Sequence, residues 1–223
     1  MNAPTASASG PVAATKALVC PSCGGPFQLH AAGYSTLHVC QYCGSEIDLM
    51  GDDDARLINE HVEAAKTLLI PLGTKGVVSG VEWVCVGNIE KTDGWDEWEE
   101  FLLFNPYHGY RWLIYQANGW SVGTPILSNP AHPRRRTFQY EGVRMKRTYD
   151  PAESRIERAI GEFYWQVKKG DAVRSTSYVG GGIVLSCEMP GDEFNWTREE
   201  FVPSNAVAKA FGIEDTGQYP RFG

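Results

Sequence analysis

Four cysteines in two matched pairs constrain this chain more than any other feature. Cys20 and Cys23 lie in "CPSCGG", Cys40 and Cys43 in "CQYCGS", with sixteen residues between the pairs. Two residues between cysteines let one tight turn aim both sulfurs at a single point. Gly24 and Gly44 follow each pair, where closing such a turn calls for a positive φ. The spacer is long enough for a hairpin to bring the two turns together. Four thiolates at about 2.3 Å then complete a tetrahedron around zinc, although iron suits the same ligands. A pair of disulfides gives no reason for two CxxC-Gly turns, and a redox CxxC works as one pair beside a βαβ unit. With four sulfurs bound, the metal keeps no open position, so the site is expected to be structural.

The expected unit is a zinc ribbon over residues 18–50, with Phe27, Leu29, Leu37, Val39 and Ile47 as its small core. About 30 residues bury too little apolar surface to fold alone, and metal binding supplies on the order of 10 kcal/mol. His30 and His38 are expected at its surface. Ahead of it, residues 1–17 read as a disordered Ala/Ser/Pro tail. Behind it, Asp52 to Asp54 can cap a helix and Leu57, Ile58, Val62 and Ala65 share one helical face, predicting a linker helix over 51–66.

From residue 67 the texture changes to short strands punctuated by glycine. "GVEWVCVG" sets Val81, Trp83 and Cys85 against Glu82, Val84 and Val86 on opposite faces. "WEEFLLF", "YRWLIY" and "WSV", joined by "NPYHG" and "QANG", predict a three-stranded antiparallel meander over 98–122. "FQYEGVRMKRTY" reads as two strands around Glu141-Gly142. "DPAESRIERAIG" fits either a helix framed by Asp150 and Gly161 or a strand. "YVGGGIVL" suggests a bulge or a close backbone approach. "PSNAVAKAFG" predicts a short helix capped by Ser204 or Asn205 and stopped by Gly212. The fold class expected is mainly β with minor α: the ribbon, then a predominantly antiparallel, barrel-like β domain over 67–214, and a loose tail over 215–223.

Composition narrows the function. The formal charge of −7 disfavours nucleic acid and anionic membranes unless a local basic patch intervenes. Residues 18–49 hold no Lys or Arg, so a nucleic-acid-binding ribbon is disfavoured further. No apolar run approaches the roughly 20 residues of a transmembrane segment. The start lacks a secretory pattern, and paired free thiols need a reducing compartment, so a cytoplasmic location is expected.

Cys85 and Cys187 sit in apolar strands and read as buried small hydrophobes. No phosphate loop, HExxH, GxSxG or carboxylate pair motif occurs. A cleft enzyme or ligand site involving Glu162, Asp171 or His108 stays open as an alternative. An acidic block at 90–100 and a basic block at 134–147 can face each other or be two solvated surfaces. Trp95, Trp98 and Trp120 flank turns, and with Arg134, Arg135 and Arg136 they form the candidate interaction surface.

"PLGTKGVVSGVEWVCVGNI", "WEEFLLFNPYHGYRWLIYQANGWSVGTPI", "GEFYWQVKKGD" and "FNWTREEF" through "VAKAFG" resemble a bacterial family, domain of unknown function 4178, over roughly residues 67–212. An N-terminal zinc ribbon is a common companion in that family. Its members tend to be encoded near membrane-stress proteins similar to phage shock protein A. The resemblance implies no activity. With the closed metal site it implies a non-enzymatic adaptor that binds a protein partner, in a membrane-associated stress complex.

Overall fold

Alternation of apolar and polar residues turns about half of the described residues into antiparallel strands. The computed structural model describes residues 16–50, 56–62, 65–190 and 192–217. The Asp52–Asp54 triplet and all but the last two residues of the expected 1–17 tail lie outside them.

The ribbon is two hairpins. β1 (Lys16–Val19) pairs with β2 (Pro26–Leu29), and β3 (Leu37–Val39) with β4 (Glu46–Asp48). Lys16 and Ala17, read from the sequence as the end of the tail, therefore belong to a strand. The expected linker helix does not form in the described part of its span, because β5 (Arg56–Asn59) pairs with β4 instead. Arg56, Leu57, Ile58 and Asn59 alternate between exposed and half-buried, and an available sheet edge satisfies their backbone groups as well as a helix would.

The β domain begins with the hairpin of β6 (Lys75–Val78) and β7 (Val81–Thr92). The expected meander follows as β8 (Glu97–Asn105), β9 (Gly109–Gln116) and β10 (Gly119–Ile126). β11 (Thr137–Tyr140) and β12 (Val143–Arg147) form the expected hairpin, with Glu141 and Gly142 both at positive φ. The ambiguous stretch is a strand, β13 (Ala152–Phe163). β14 (Ala172–Gly180), β15 (Ile183–Met189) and β16 (Asn195–Val202) complete the set. Gly180 lies against β12 so closely that a Cβ would sit 2.4 Å from the Arg144 carbonyl oxygen. The close backbone approach read from the triple glycine is thus present.

The single helix among the described residues, α1 (Ser204–Phe211), stops at Gly212 in the left-handed region as expected. Its N-cap is Pro203, without a side-chain cap. Ser204 instead bonds Asp215, and Thr216 accepts the Trp120 indole N–H at 3.1 Å. The first part of the expected loose tail is therefore tied to the core.

Pairing runs β13-β7-β8-β9-β10-β16-β15-β14, and β13 meets β14 again through Ala152–Arg155 and Ala172–Ser175. The strands so form a partial ring. Each face has its own packing. Outside, Trp83, Cys85, Phe101, Leu103, Leu113 and Trp120 are covered by Ile70, Val78, Val207 and Phe211. Also outside, Tyr178, Leu185, Cys187 and Trp196 are covered by Phe138 and Met145 of the β11–β12 hairpin. Inside, Val86, Ile89, Leu102, Phe104 and Phe163 form an apolar layer that the ribbon's Ala31, Leu37 and Val39 join.

The ribbon is therefore not a tethered neighbour. β3 pairs with β13 through Leu37–Phe163, His38–Glu162 and Val39–Gly161, so β3, β4 and β5 extend the ring's own sheet. No helix among the described residues is long and apolar enough to cross a membrane.

Candidate functional site

Each CxxC-Gly stretch is the turn of a hairpin, and the two turns are near copies. Gly24 N–H donates to the Cys20 carbonyl at 2.8 Å, and Gly44 N–H to the Cys40 carbonyl at 2.8 Å. Cys20 N–H reaches the Gly25 carbonyl as Cys40 N–H reaches that of Ser45. Gly24 and Gly44 have φ of 73° and 75°, the conformation the sequence demanded. The Sγ atoms of Cys20 and Cys43 are 3.8 Å apart, as are those of Cys23 and Cys40. All four lie within 4.8 Å of one another. A regular tetrahedron with arms of about 2.3 Å has edges of about 3.8 Å, so the sulfurs are spaced to hold one metal ion. Burial pushes the Cys40 thiol up to about 12; it also raises Cys43, but hydrogen bonds with Ser45, Cys23 and Cys40 outweigh it and bring Cys43 down to about 7. Four adjacent thiolates need a cation to ionise together.

His38 corrects the expected surface position. It is 1% exposed and stacks on Phe27 with ring centroids 4.0 Å apart. Burial drives its pKa down to about 3, so the ring is neutral and packs as an aromatic on Phe27, which shares a cluster with Cys20, Cys40 and Cys43. His30 is half-buried, and a Cβ on Gly73 would meet its ring.

Glu162 is the joint between ribbon and ring. Its carboxylate accepts the backbone N–H of His30 at 2.6 Å and of Ala31 at 3.0 Å. Burial raises its pKa to about 7, with those two hydrogen bonds pulling the other way. It does not meet the other two residues proposed for a cleft. Asp171 binds the Lys168 N–H in the β13–β14 connection, and His108 lies 6.1 Å from the Trp83 ring at the β8–β9 turn.

A second candidate site is the ring's interior, an open cavity of about 2020 Å³. Register places alternate side chains on its wall: Ile89 and Lys91 of β7, Trp98 and Glu100 of β8, Trp112 and Ile114 of β9. Lys91 is buried and binds Glu100 at 3.0 Å and Glu188 at 2.8 Å. Burial works against its charge, but the two carboxylates outweigh that and hold its pKa above the ordinary lysine value. Glu199 is buried with Ser121 and Ser186 as donors, and burial raises its pKa. Trp98 donates its indole N–H to Glu100 at 2.8 Å. None of the described residues on this wall is His or Cys.

Sequence reasoning did not single out Lys91, Glu188 or Glu199, and put Glu100 in an acidic block that could face the basic block or be a solvated surface. The signal available was alternation: Lys91 is in phase with buried Ile89, and Glu100 with buried Leu102.

The residues proposed as an interaction surface occupy three places. Trp95 tops the β7–β8 turn, 94% exposed. Trp98 is half-buried on the cavity wall. Trp120 is fully buried under α1 and cannot belong to a surface, because its ring packs 4.5 Å from Tyr115 and 5.9 Å from Phe101. Arg134, Arg135 and Arg136 are exposed on a turn fixed by the Tyr178 hydroxyl, which donates to the Pro133 and Arg135 carbonyls. The acidic block finds cations elsewhere: Glu90 and Glu99 bind Lys66, Glu90 also lies near Arg158, and Glu100 binds Lys91. Arg147 of the basic block pairs with Asp150. Cys85 and Cys187 are buried, and burial pushes both thiols up to about 12, far from nucleophilic use.

A family model described as Domain of unknown function (DUF4178) matches residues 71–204, which span β6 to the start of α1. No curated protein matches the chain, and no solved structure does.

Proposed function

The chain belongs to the family described as Domain of unknown function (DUF4178), and on that premise we propose that it is a non-enzymatic binding protein whose ring cavity takes a small ligand. The observation that carries this is the cavity itself, about 2020 Å³ with aromatic walls and a few buried polar groups. Both outer faces of the ring are covered by the chain's own elements, which leaves the interior as the concave surface. We assign zinc to the four cysteines, as a structural ion that makes the ribbon rigid enough to brace β13. Elemental analysis should find about one zinc per chain; a coloured, iron-loaded protein would refute that assignment.

The indole N–H resonances of Trp98, Trp112 and Trp165 test the cavity directly, since all three line it. In a fragment screen, ligands should shift these resonances and leave the Trp95 indole unmoved. Hits that cluster on other residues, or no hits, would sink the reading.

One observation favours a second reading, an adaptor for a protein partner in a cytoplasmic, membrane-associated stress assembly. Trp95 is held out in solvent on a turn ordered by Asp93, which accepts the N–H groups of Trp95 and Asp96. A large exposed ring on a rigid turn is an anchor of the kind that dominates protein contacts. Partner recovery from native cells should then be lost with Trp95→Ala; recovery unchanged by that variant would refute it.

A further inference from the structure

The charge on the cavity wall has a sign, and the sign names a class of ligand. Among the described residues, eleven carboxylate side chains line the cavity against one ammonium group, that of Lys91; eight of the eleven are solvent-exposed, and of these Asp150 pairs with Arg147 and Glu153 with Arg155. The chain as a whole carries 20 Lys and Arg against 27 Asp and Glu, so its average surface is far more balanced than this wall. Lys91 is already bound by Glu100 and Glu188, which leaves it little pull on an anion. Even with Glu199 neutral the wall is strongly negative. Over a concave wall such a field concentrates cations and repels anions.

The carboxylates are spread along the wall rather than gathered. Among the described residues, the only group whose ligand atoms converge closely enough for a metal ion is the four cysteines. Lys91 also sits between two of the cavity acids and opposes a bare dication there. The same wall carries the half-buried rings of Trp98, Trp112 and Trp165 and the exposed rings of Tyr164 and Tyr149. Faces of Trp and Tyr attract cations, and more so where water is scarce. Carboxylates set apart by aromatic surface suit a cation with an apolar body.

Resting on the reading of the cavity as a ligand site, we propose that its ligand is an organic ammonium ion, held between the cavity carboxylates and the Trp98–Trp112–Trp165 wall.

Three probes of one shape and different charge test this: benzylammonium, benzyl alcohol and benzoate, titrated to millimolar concentration while the cavity indole resonances are followed. Benzylammonium should bind at least about fivefold more tightly than benzyl alcohol, benzoate should not bind, and the preference should shrink as salt is raised. Glu188→Gln should weaken benzylammonium about five- to tenfold and leave benzyl alcohol unchanged, as loss of one charged contact predicts. Should that variant melt early, Asp96→Asn with Glu97→Gln at the exposed rim should still reduce the charge preference. Equal binding of alcohol and ammonium, or preference for benzoate, overturns the ammonium assignment while leaving the cavity a ligand site. Failure of benzylammonium to move any cavity indole also overturns it, and the fragment screen then decides the cavity reading separately.

Discussion

Removing the metal should damage the ring as well as the ribbon, and the damage can be sized. Without a cation the four thiols cannot hold both turns, and a unit of this size loses most of its reason to fold. The ribbon contributes Ala31, Leu37 and Val39 to the ring's inner apolar layer, all buried. Fully burying a Leu or Val is worth about 1.5–3 kcal/mol, so the two larger residues alone represent about 4 kcal/mol. Tyr34 on Phe104, 5.0 Å between ring centroids, and the Glu162 hydrogen bonds to His30 and Ala31 would go with them. At about 2–4 °C per kcal/mol for a chain of this size, the ring's melting temperature should fall by roughly 10 °C.

The loss should also bare the β13 edge at Gly161–Phe163, which β3 covers through three residue pairs. Chelator-treated protein, with metal release verified by elemental analysis, should show the lower melting temperature. It should also show faster amide exchange in β13 around residues 159–163. If the metal leaves while the main transition and those amides stay unchanged, the ribbon is a separate module and the coupling argued from β3–β13 is wrong.

Glu162 predicts a pH dependence. Its folded-state pKa, about 7, is above the value of about 4.5 for a free glutamate, so the folded protein binds the extra proton between those pH values. Stability from this group is therefore greatest below about pH 4.5 and declines as pH rises through 7, by about 3 kcal/mol in all. Glu162→Gln should flatten that slope in denaturant titrations across the window; an unchanged slope would refute it.

Gly161 has φ of 98°, and a Cβ there would lie 2.3 Å from the Val86 carbonyl oxygen. Gly161→Ala should cost about 3 kcal/mol or more in chemical unfolding, and a neutral outcome would show that β7 and β13 can separate cheaply. Trp120→Ala should cost about 3–5 kcal/mol while Trp95→Ala stays within about 0.5 kcal/mol, so equal effects would contradict their opposite burial.

Features made by neighbours in the chain were legible in advance. The metal ligands follow from CxxC-Gly spacing because a turn of that length has few ways to point two sulfurs. Glu141-Gly142 and Gly212 were readable because positive φ restricts which residues can stand there. The outward and inward faces of β7 followed from side-chain alternation, which placed Trp83 and Cys85 opposite Val84 and Val86. The linker helix was misread for a related reason. Apolar spacing in "RLIN" fits a helix locally, and only the free edge of β4, supplied by another hairpin, tips it to a strand.

The cavity belongs to the other category. Lys91, Glu100 and Glu188 become partners through β7–β8 pairing and the turn of the ring, with 97 residues separating Lys91 from Glu188. No local pattern encodes which carboxylates reach Lys91, because a one-residue slip in any of eight strands would send them to the opposite face. Glu162 likewise looks like an ordinary strand acid until β3 docks over it. From its own residues the chain settles that four thiols are placed to hold a metal and that the rest is mainly β. Ring closure alone decides that the ribbon braces the barrel-like domain and that carboxylates line its interior, since pairing over long separations is fixed by cooperative packing rather than by any one segment.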